Sequence, residues 1–164
     1  MIGLLIGRFQ PFHIGHLDAV KFALSNVDEL LIGIGKPNKS NEKRNPFTAD
    51  ERREMIESSL DDATLKKVRI YYIPDVDDHE RWTYRVDEIV PRYDVVFSND
   101  EFTHTLFGKR GVRVISVPLK QREILSGTDI RVRIKEDQDW AELVPKGTQK
   151  VLLKINAKNR LTNL

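Results

Sequence analysis

The sequence predicts a doubly wound α/β fold: a parallel five-stranded sheet flanked by helices, followed by a C-terminal group of helices. Two observations carry the prediction. Five short runs rich in Ile, Val, Leu and Tyr recur up to Val117 with little polar alternation, the pattern of strands buried on both faces. Helical patterns lie between them, and strand–helix alternation of this kind produces parallel strands joined by crossover helices.

The predicted strands are 2–7, 29–35, 68–73, 94–98 and 112–117. A helix over 13–26 places Leu17, Val20 and Leu24 on one face, with Val27 continuing the 3.6-residue period. A helix over 48–60 opens on Thr-Ala-Asp-Glu, a capping box with Thr48 as N-cap and Glu51 three residues on. Shorter helices are predicted over 82–90 and 101–107. Beyond Val117 the strands stop, and 127–135, 139–143 and 148–161 read as helices. The 36–48 connection is long and polar for an α/β loop, a feature associated with function.

A length of 164 residues fits one domain over 1–164, with sheet and crossovers in 1–117 and a helical appendix in 118–164. Cysteine is absent, which excludes disulfides and thiolate metal sites and is compatible with a cytoplasmic location. No basic leader with a cleavage site is readable, and no apolar run approaches the roughly 20 residues of a membrane span. Charged residues make up 32% of the chain yet the formal net charge is +2, so no strongly basic face points to nucleic acid.

Ligands in such sheets bind beyond the carboxyl ends of the strands. The first strand ends in Gly-Arg-Phe-Gln-Pro-Phe-His-Ile-Gly-His, residues 7–16. Gly7 permits a sharp turn, and Gly15 removes a side chain where a ligand's phosphates would approach. His13 and His16 share one face of a helix N-terminus, and with Arg8 nearby they form a prepared anion site. Elsewhere such a pair is most often a surface coincidence; no third ligand for a metal is readable beside it. Residues 126–131 read Ser-Gly-Thr-Asp-Ile-Arg: Ser126 is a good N-cap, and Thr128 and Arg131 share a face. Taken alone, that stretch reads as a capped helix. Arg133 lies about 200° away around the helix and is predicted to serve another purpose.

The ten-residue segment 7–16 resembles the His-x-Gly-His motif of the nucleotidylyltransferase superfamily. With Gly-Arg-Phe-Gln-Pro-Phe ahead of it, it looks like the version found in archaeal nicotinamide mononucleotide (NMN) adenylyltransferases. The 126–131 stretch is similar to the family's second signature, and both stand in the right order. The resemblance, over roughly residues 1–145, implies a Rossmann-like nucleotidyltransferase fold. It implies an enzyme that joins ATP and NMN to give NAD and pyrophosphate. His13, His16 and Arg131 would be the catalytic residues. Gly7, Arg8, Phe9, Gly15, Ser126, Gly127 and Thr128 would line the ATP phosphates, joined by Arg44 of an Arg-x-Pro-Phe-Thr segment. Trp82 would stack on nicotinamide, where a cationic pyridinium gains cation–π attraction, and Asn99 would contact adenosine or acceptor. Where relatives carry Ser-Gly-Asn, this chain has Ser98-Asn99-Asp100. The competing reading of Trp82 is a core plug. No role is assigned to Asp75, Asp77, His79 or the last twenty residues. Magnesium is expected to enter with ATP, held by phosphate oxygens and water rather than by a dedicated protein site. The resemblance also implies a homo-oligomer, commonly a hexamer. Three alternatives stay open: a sister enzyme for phosphopantetheine, flavin mononucleotide or a phosphorylated alcohol; a non-catalytic nucleotide sensor; and an RNA-binding module.

Overall fold

A computed structural model of the chain describes residues 1–118 and 126–164. Five strands, β1 (Ile2–Gly7), β2 (Glu29–Gly35), β3 (Val68–Ile73), β4 (Val95–Phe97) and β5 (Val114–Ile115), form one sheet in the order β3-β2-β1-β4-β5. Every pairing is parallel, as the unbroken apolar runs predict. The order reverses at β1, which pairs with β2 on one side and β4 on the other, so a crevice opens at the carboxyl end of β1.

Side chains alternate across the sheet and feed two cores. Leu5, Leu30, Ile32 and Ile34 pack under α1 (Ile14–Asn26), α2 (Ala49–Ser59), α6 (Gly127–Lys135), α7 (Lys146–Lys154) and α8 (Ala157–Thr162). Leu4, Leu31, Ile73 and Val96 pack on the opposite face under α4 (Trp82–Ile89) and α5 (Glu101–Gly108), through Val86 and Phe107. The Thr48 capping box forms as predicted: Thr48 Oγ1 accepts from Glu51 N–H at 3.0 Å, and Glu51 Oε1 accepts from Thr48 N–H at 2.8 Å.

Three predicted elements differ, and one element was not predicted. The single helix expected over 148–161 is two, α7 and α8, broken where Asn156 takes the left-handed conformation (φ 51°). The helix expected over 139–143 shrinks to a 3-10 turn, Ala141–Leu143. The fifth strand keeps two paired residues of the six expected. A short helix, α3 (Asp62–Leu65), capped by Asp61, was not predicted at all, because four residues are too few to show a period. Residues 119–125, the start of the predicted appendix, lie outside the described residues. The appendix is packed into the fold: α7 lies on α2, where a Cβ on Gly147 would sit 2.3 Å from the Ser58 backbone, and α8 lies on α6.

Candidate active site

The β1–α1 turn is built around one constrained residue. Phe9 is 2% exposed and sits at φ 54°, a conformation costly for a bulky side chain. Its ring folds back over Gly7, where a Cβ would meet it at 3.0 Å, and stands edge-on to His16 with centroids 4.8 Å apart. Any larger residue at position 7 would force that ring to shift by a few tenths of an ångström.

Helix α1 begins at Ile14, so His13 is its N-cap and lies just outside the helix. The two histidines cap it reciprocally. His16 Nδ1 accepts from the His13 backbone N–H at 3.1 Å, and His13 Nδ1 accepts from the His16 backbone N–H at 3.4 Å. Their rings stack with centroids 3.7 Å apart, and Phe12 stacks behind His16 at 5.7 Å. This is a capping box with imidazoles in place of the usual hydroxyl and carboxylate. The arrangement settles the chemistry of both rings. Each Nδ1 must keep its lone pair to accept the cap bond, so in the neutral ring the proton resides on Nε2. Burial pulls His13 down to about 4 and holds His16 well below its ordinary value of 6.5, with the His13 charge as a second cause. At neutral pH both are therefore uncharged Nε2–H donors.

The late helix docks on this turn. Ser126 caps α6 by accepting from Asp129 N–H at 3.0 Å. A Cβ on Gly127 would lie 3.0 Å from the Gln10 carbonyl oxygen, so glycine here lets α6 approach the turn. Arg131 Nη1 donates to that same carbonyl at 2.7 Å, and its Nη2 lies 3.4 Å from Thr128 Oγ1. Arg133 instead donates to the Asp139 carbonyl at 3.0 Å, away from the turn, as its helical phase predicts. Burial, then the charge of Arg8, lowers the Arg131 pKa, which places those two cations close together.

The Arg44 segment reaches the same place through Gln10. The buried Gln10 amide accepts from Phe47 N–H at 3.1 Å and donates to the Phe47 carbonyl at 3.4 Å, like one rung of a ladder. Arg160 of α8 holds the segment from behind, donating to the Pro46 carbonyl at 3.1 Å and to both Glu51 oxygens at 2.6 and 2.8 Å. Burial opposes ionisation of Glu51, but the bonds from Arg160 and Thr48 outweigh it and lower its pKa. The last helix thus has a role that its sequence did not reveal. Arg8, Arg44, Lys43, Arg131 and Lys135, with Thr128, line a cavity of about 510 Å³ closed on one side by Leu161 and Leu164. Among the described residues basic side chains line it and no Asp or Glu side chain does, so it suits phosphates, with any divalent ion carried on the phosphate oxygens.

The structure gathers Gly7, Arg8, Gly15, His13, His16, Arg44, Ser126, Gly127, Thr128 and Arg131 at the carboxyl end of β1. Phe9 lies beneath them as support. Trp82 and Asn99 lie in the connections that follow β3 and β4. Trp82 opens α4, is half-buried in the second core and meets Phe107 edge-on at 5.8 Å. Asn99 uses its amide on the Val117 backbone, accepting at 2.7 Å and donating at 2.9 Å, which ties the ends of β4 and β5. Asp75 pairs with Lys36 at 2.7 Å, bridging the loops after β2 and β3. Gln10 and Arg52 were not singled out from sequence. Gln10 sits inside the first motif, and Arg52 is a charged residue on the same α2 face as Ala49, Met55 and Ile56, an available signal.

The cytidylyltransferase-like family model matches residues 4–133. The chain is 44% identical to a nicotinamide-nucleotide adenylyltransferase of Thermococcus onnurineus over 99% of this chain and 87% of that protein. It is 41% identical to the one of Saccharolobus solfataricus over 99% of this chain and 95% of that protein. Among solved structures, 99% of the chain superposes with a TM-score of 0.79 and 22% identity on a bifunctional NMN adenylyltransferase/ADP-ribose pyrophosphatase of Francisella tularensis complexed with AMP and a manganese ion. The chain spans about half (52%) of that bifunctional protein, and at this identity the match speaks to the fold alone. By the family pattern and by near-full-length relatives, the chain belongs to the cytidylyltransferase-like family and, within it, to the nicotinamide-nucleotide adenylyltransferases.

Proposed function

We propose that the chain transfers the adenylyl group of ATP to NMN, forming NAD and pyrophosphate by direct in-line displacement. The observation that carries this is the reciprocal cap, which supports two neutral Nε2–H donors on the turn to which Arg131 is bonded, while Arg131 and Arg8 line a cavity with three further cations among the described residues. The acceptor's phosphate monoester has a second pKa of about 6 and is already mostly ionised at neutral pH, so attack on the α-phosphorus needs no general base. Histidines held neutral with Nδ1 occupied are suited to donate to developing charge. His13 and His16 are assigned to the α- and β-phosphates. Arg131, Thr128, Arg44 and Arg8 are assigned to the outer phosphates and the departing pyrophosphate. Holding both substrates in line supplies about 7–11 kcal/mol of barrier reduction, and each aimed donor roughly 2.7–4 kcal/mol more. Magnesium supplies charge neutralisation on the phosphates when bound with ATP, in a cavity whose described lining is basic.

Trp82 and Asn99 are assigned to the acceptor side, in the connections that follow β3 and β4. The indole is anchored on Phe107 and remains partly accessible. Residues 1–164 are assigned to one domain, supported by the packing of α7 and α8 on α2 and α6. Among the described residues no helix is long and apolar enough to cross a membrane, and the location assigned is the cytoplasm, where ATP and NMN are available. Assembly as a homo-oligomer rests on family resemblance.

The test is a panel of acceptors. With magnesium-ATP and NMN, one dinucleotide should appear per pyrophosphate. Phosphopantetheine and flavin mononucleotide should give neither. Release of pyrophosphate with one of those and not with NMN would replace the acceptor; no release with any would favour a nucleotide sensor.

A further inference from the structure

Arg52 projects from α2 into the protein and is fully buried, yet among the described residues no carboxylate lies within ion-pair distance of it. All its hydrogen bonds go to main-chain carbonyl oxygens. Nε donates to Thr48 at 3.2 Å, Nη1 to Arg8 and Gly35 at 2.8 Å each, and Nη2 to Lys36 at 3.0 Å. These four carbonyls come from the turn after β1, the end of β2, the start of the loop that carries Arg44, and the N-cap of α2. One planar fork reaches them all, a task for which an ammonium group has neither the reach nor the number of donors.

Two physical consequences follow. At the end of a parallel sheet the last carbonyls of neighbouring strands are acceptors without sheet partners, and left free they would present negative dipoles to an incoming phosphate. Arg52 occupies the last carbonyl of β2 and that of Arg8, the first residue past β1, just as Arg131 occupies that of Gln10. Moreover, a buried cation whose hydrogen bonds among the described residues all go to neutral dipoles has no counter-ion bonded to it there, a costly state that an approaching anion relieves. Burial draws its pKa down to about 10, which leaves it protonated at neutral pH.

We propose that Arg52 is a positioning residue for the polyphosphate: it fixes the two strand ends that present Arg8 and Arg44, and the ligand's negative charge offsets its own. The proposal rests on the functional reading above only in taking a polyphosphate as the ligand.

The experiment compares the full chain with Arg52→Lys and Arg52→Met, each checked for folding by circular dichroism and a thermal melt. The probes are inorganic tripolyphosphate and adenosine, with affinities from calorimetry and ligand-observed NMR. The lysine variant keeps the charge and loses the fork; the methionine variant loses both. Tripolyphosphate should weaken about tenfold in Arg52→Lys and about a hundredfold in Arg52→Met, with adenosine within about twofold of wild type in each. Adenosine is the control for a merely structural staple, whose loss would weaken both probes alike. Equal weakening, or a folded variant of either kind with wild-type tripolyphosphate affinity, would overturn the proposal. So would a wild-type chain that does not bind tripolyphosphate. A wild type that binds it but makes no dinucleotide would overturn the functional reading and leave the role of Arg52 standing.

Discussion

In the free protein, titrating the histidines of the β1–α1 turn should leave His13 neutral down to about pH 5, where model imidazoles are already charged, and should show His16 displaced downward as well. Burial takes His13 from 6.5 to about 4, a displacement worth about 3 kcal/mol between folded and unfolded states, and His16 moves in the same direction. The sign follows from proton binding. Between pH 4 and 6.5 the unfolded chain holds a proton on His13 that the native state does not, and His16 acts in the same sense, so unfolding gains on acidification. The stabilising contribution is complete above pH 6.5 and is lost as the pH falls from 6.5 toward 4. Protonation at Nδ1 would also remove the acceptor from each cap bond. Long-range ¹⁵N correlation spectra of both rings from pH 8 to 4 should show the Nε2–H tautomer throughout the neutral range. Urea unfolding at pH 7.5, 6 and 5 should show stability falling with pH. His13→Asn retains a capping group without a titratable one, and should flatten that fall by its share. A ring that titrates near 6.5, an Nδ1–H tautomer, or stability unchanged between pH 7.5 and 5 would refute the reasoning.

Three further predictions probe the convergence on the turn and the acceptor side. Arg131→Ala should lose most activity while Arg133→Ala stays nearly normal, because only Arg131 reaches Gln10 and Thr128; equal losses in steady-state assays would contradict the geometry. Gly127→Ala puts a Cβ 3.0 Å from the Gln10 carbonyl, so α6 must move off the turn and ATP affinity should fall about tenfold by calorimetry. Trp82→Ala removes an indole packed on Phe107, so the melting temperature should drop. NMN binding should weaken by about 1–2 kcal/mol beyond any effect on ATP. A drop in stability with both affinities unchanged would leave the indole as core filling only.

The sheet was legible because its central strands β1, β2 and β4 are buried on both faces, so their apolar runs stand out from the surrounding helices without alternation. The two phosphate motifs were legible because their residues are local: a turn of ten residues and a helix start of six. What could not be read is long-range or made by main chain. Gln10 joins three segments through Phe47 backbone groups and its own carbonyl, and none of those bonds leaves a mark in residue type. The contribution of Arg160 depends on α8 folding back beside Glu51, 109 positions earlier. The break at Asn156 escaped because the apolar period continues across it, from Val151 and Leu152 to Leu161. Arg52 alone had a sequence signal, a charge on an apolar helix face.

Single-turnover formation of dinucleotide by wild type and His16→Ala tests the central claim most directly, since it isolates the chemical step from binding and product release. With ATP and NMN prebound, the variant should form NAD about 10²–10³-fold more slowly while its affinity for ATP changes little, because the Nε2–H bond tightens as charge develops in the transition state. A folded His16→Ala protein that forms NAD at the wild-type rate would contradict the account.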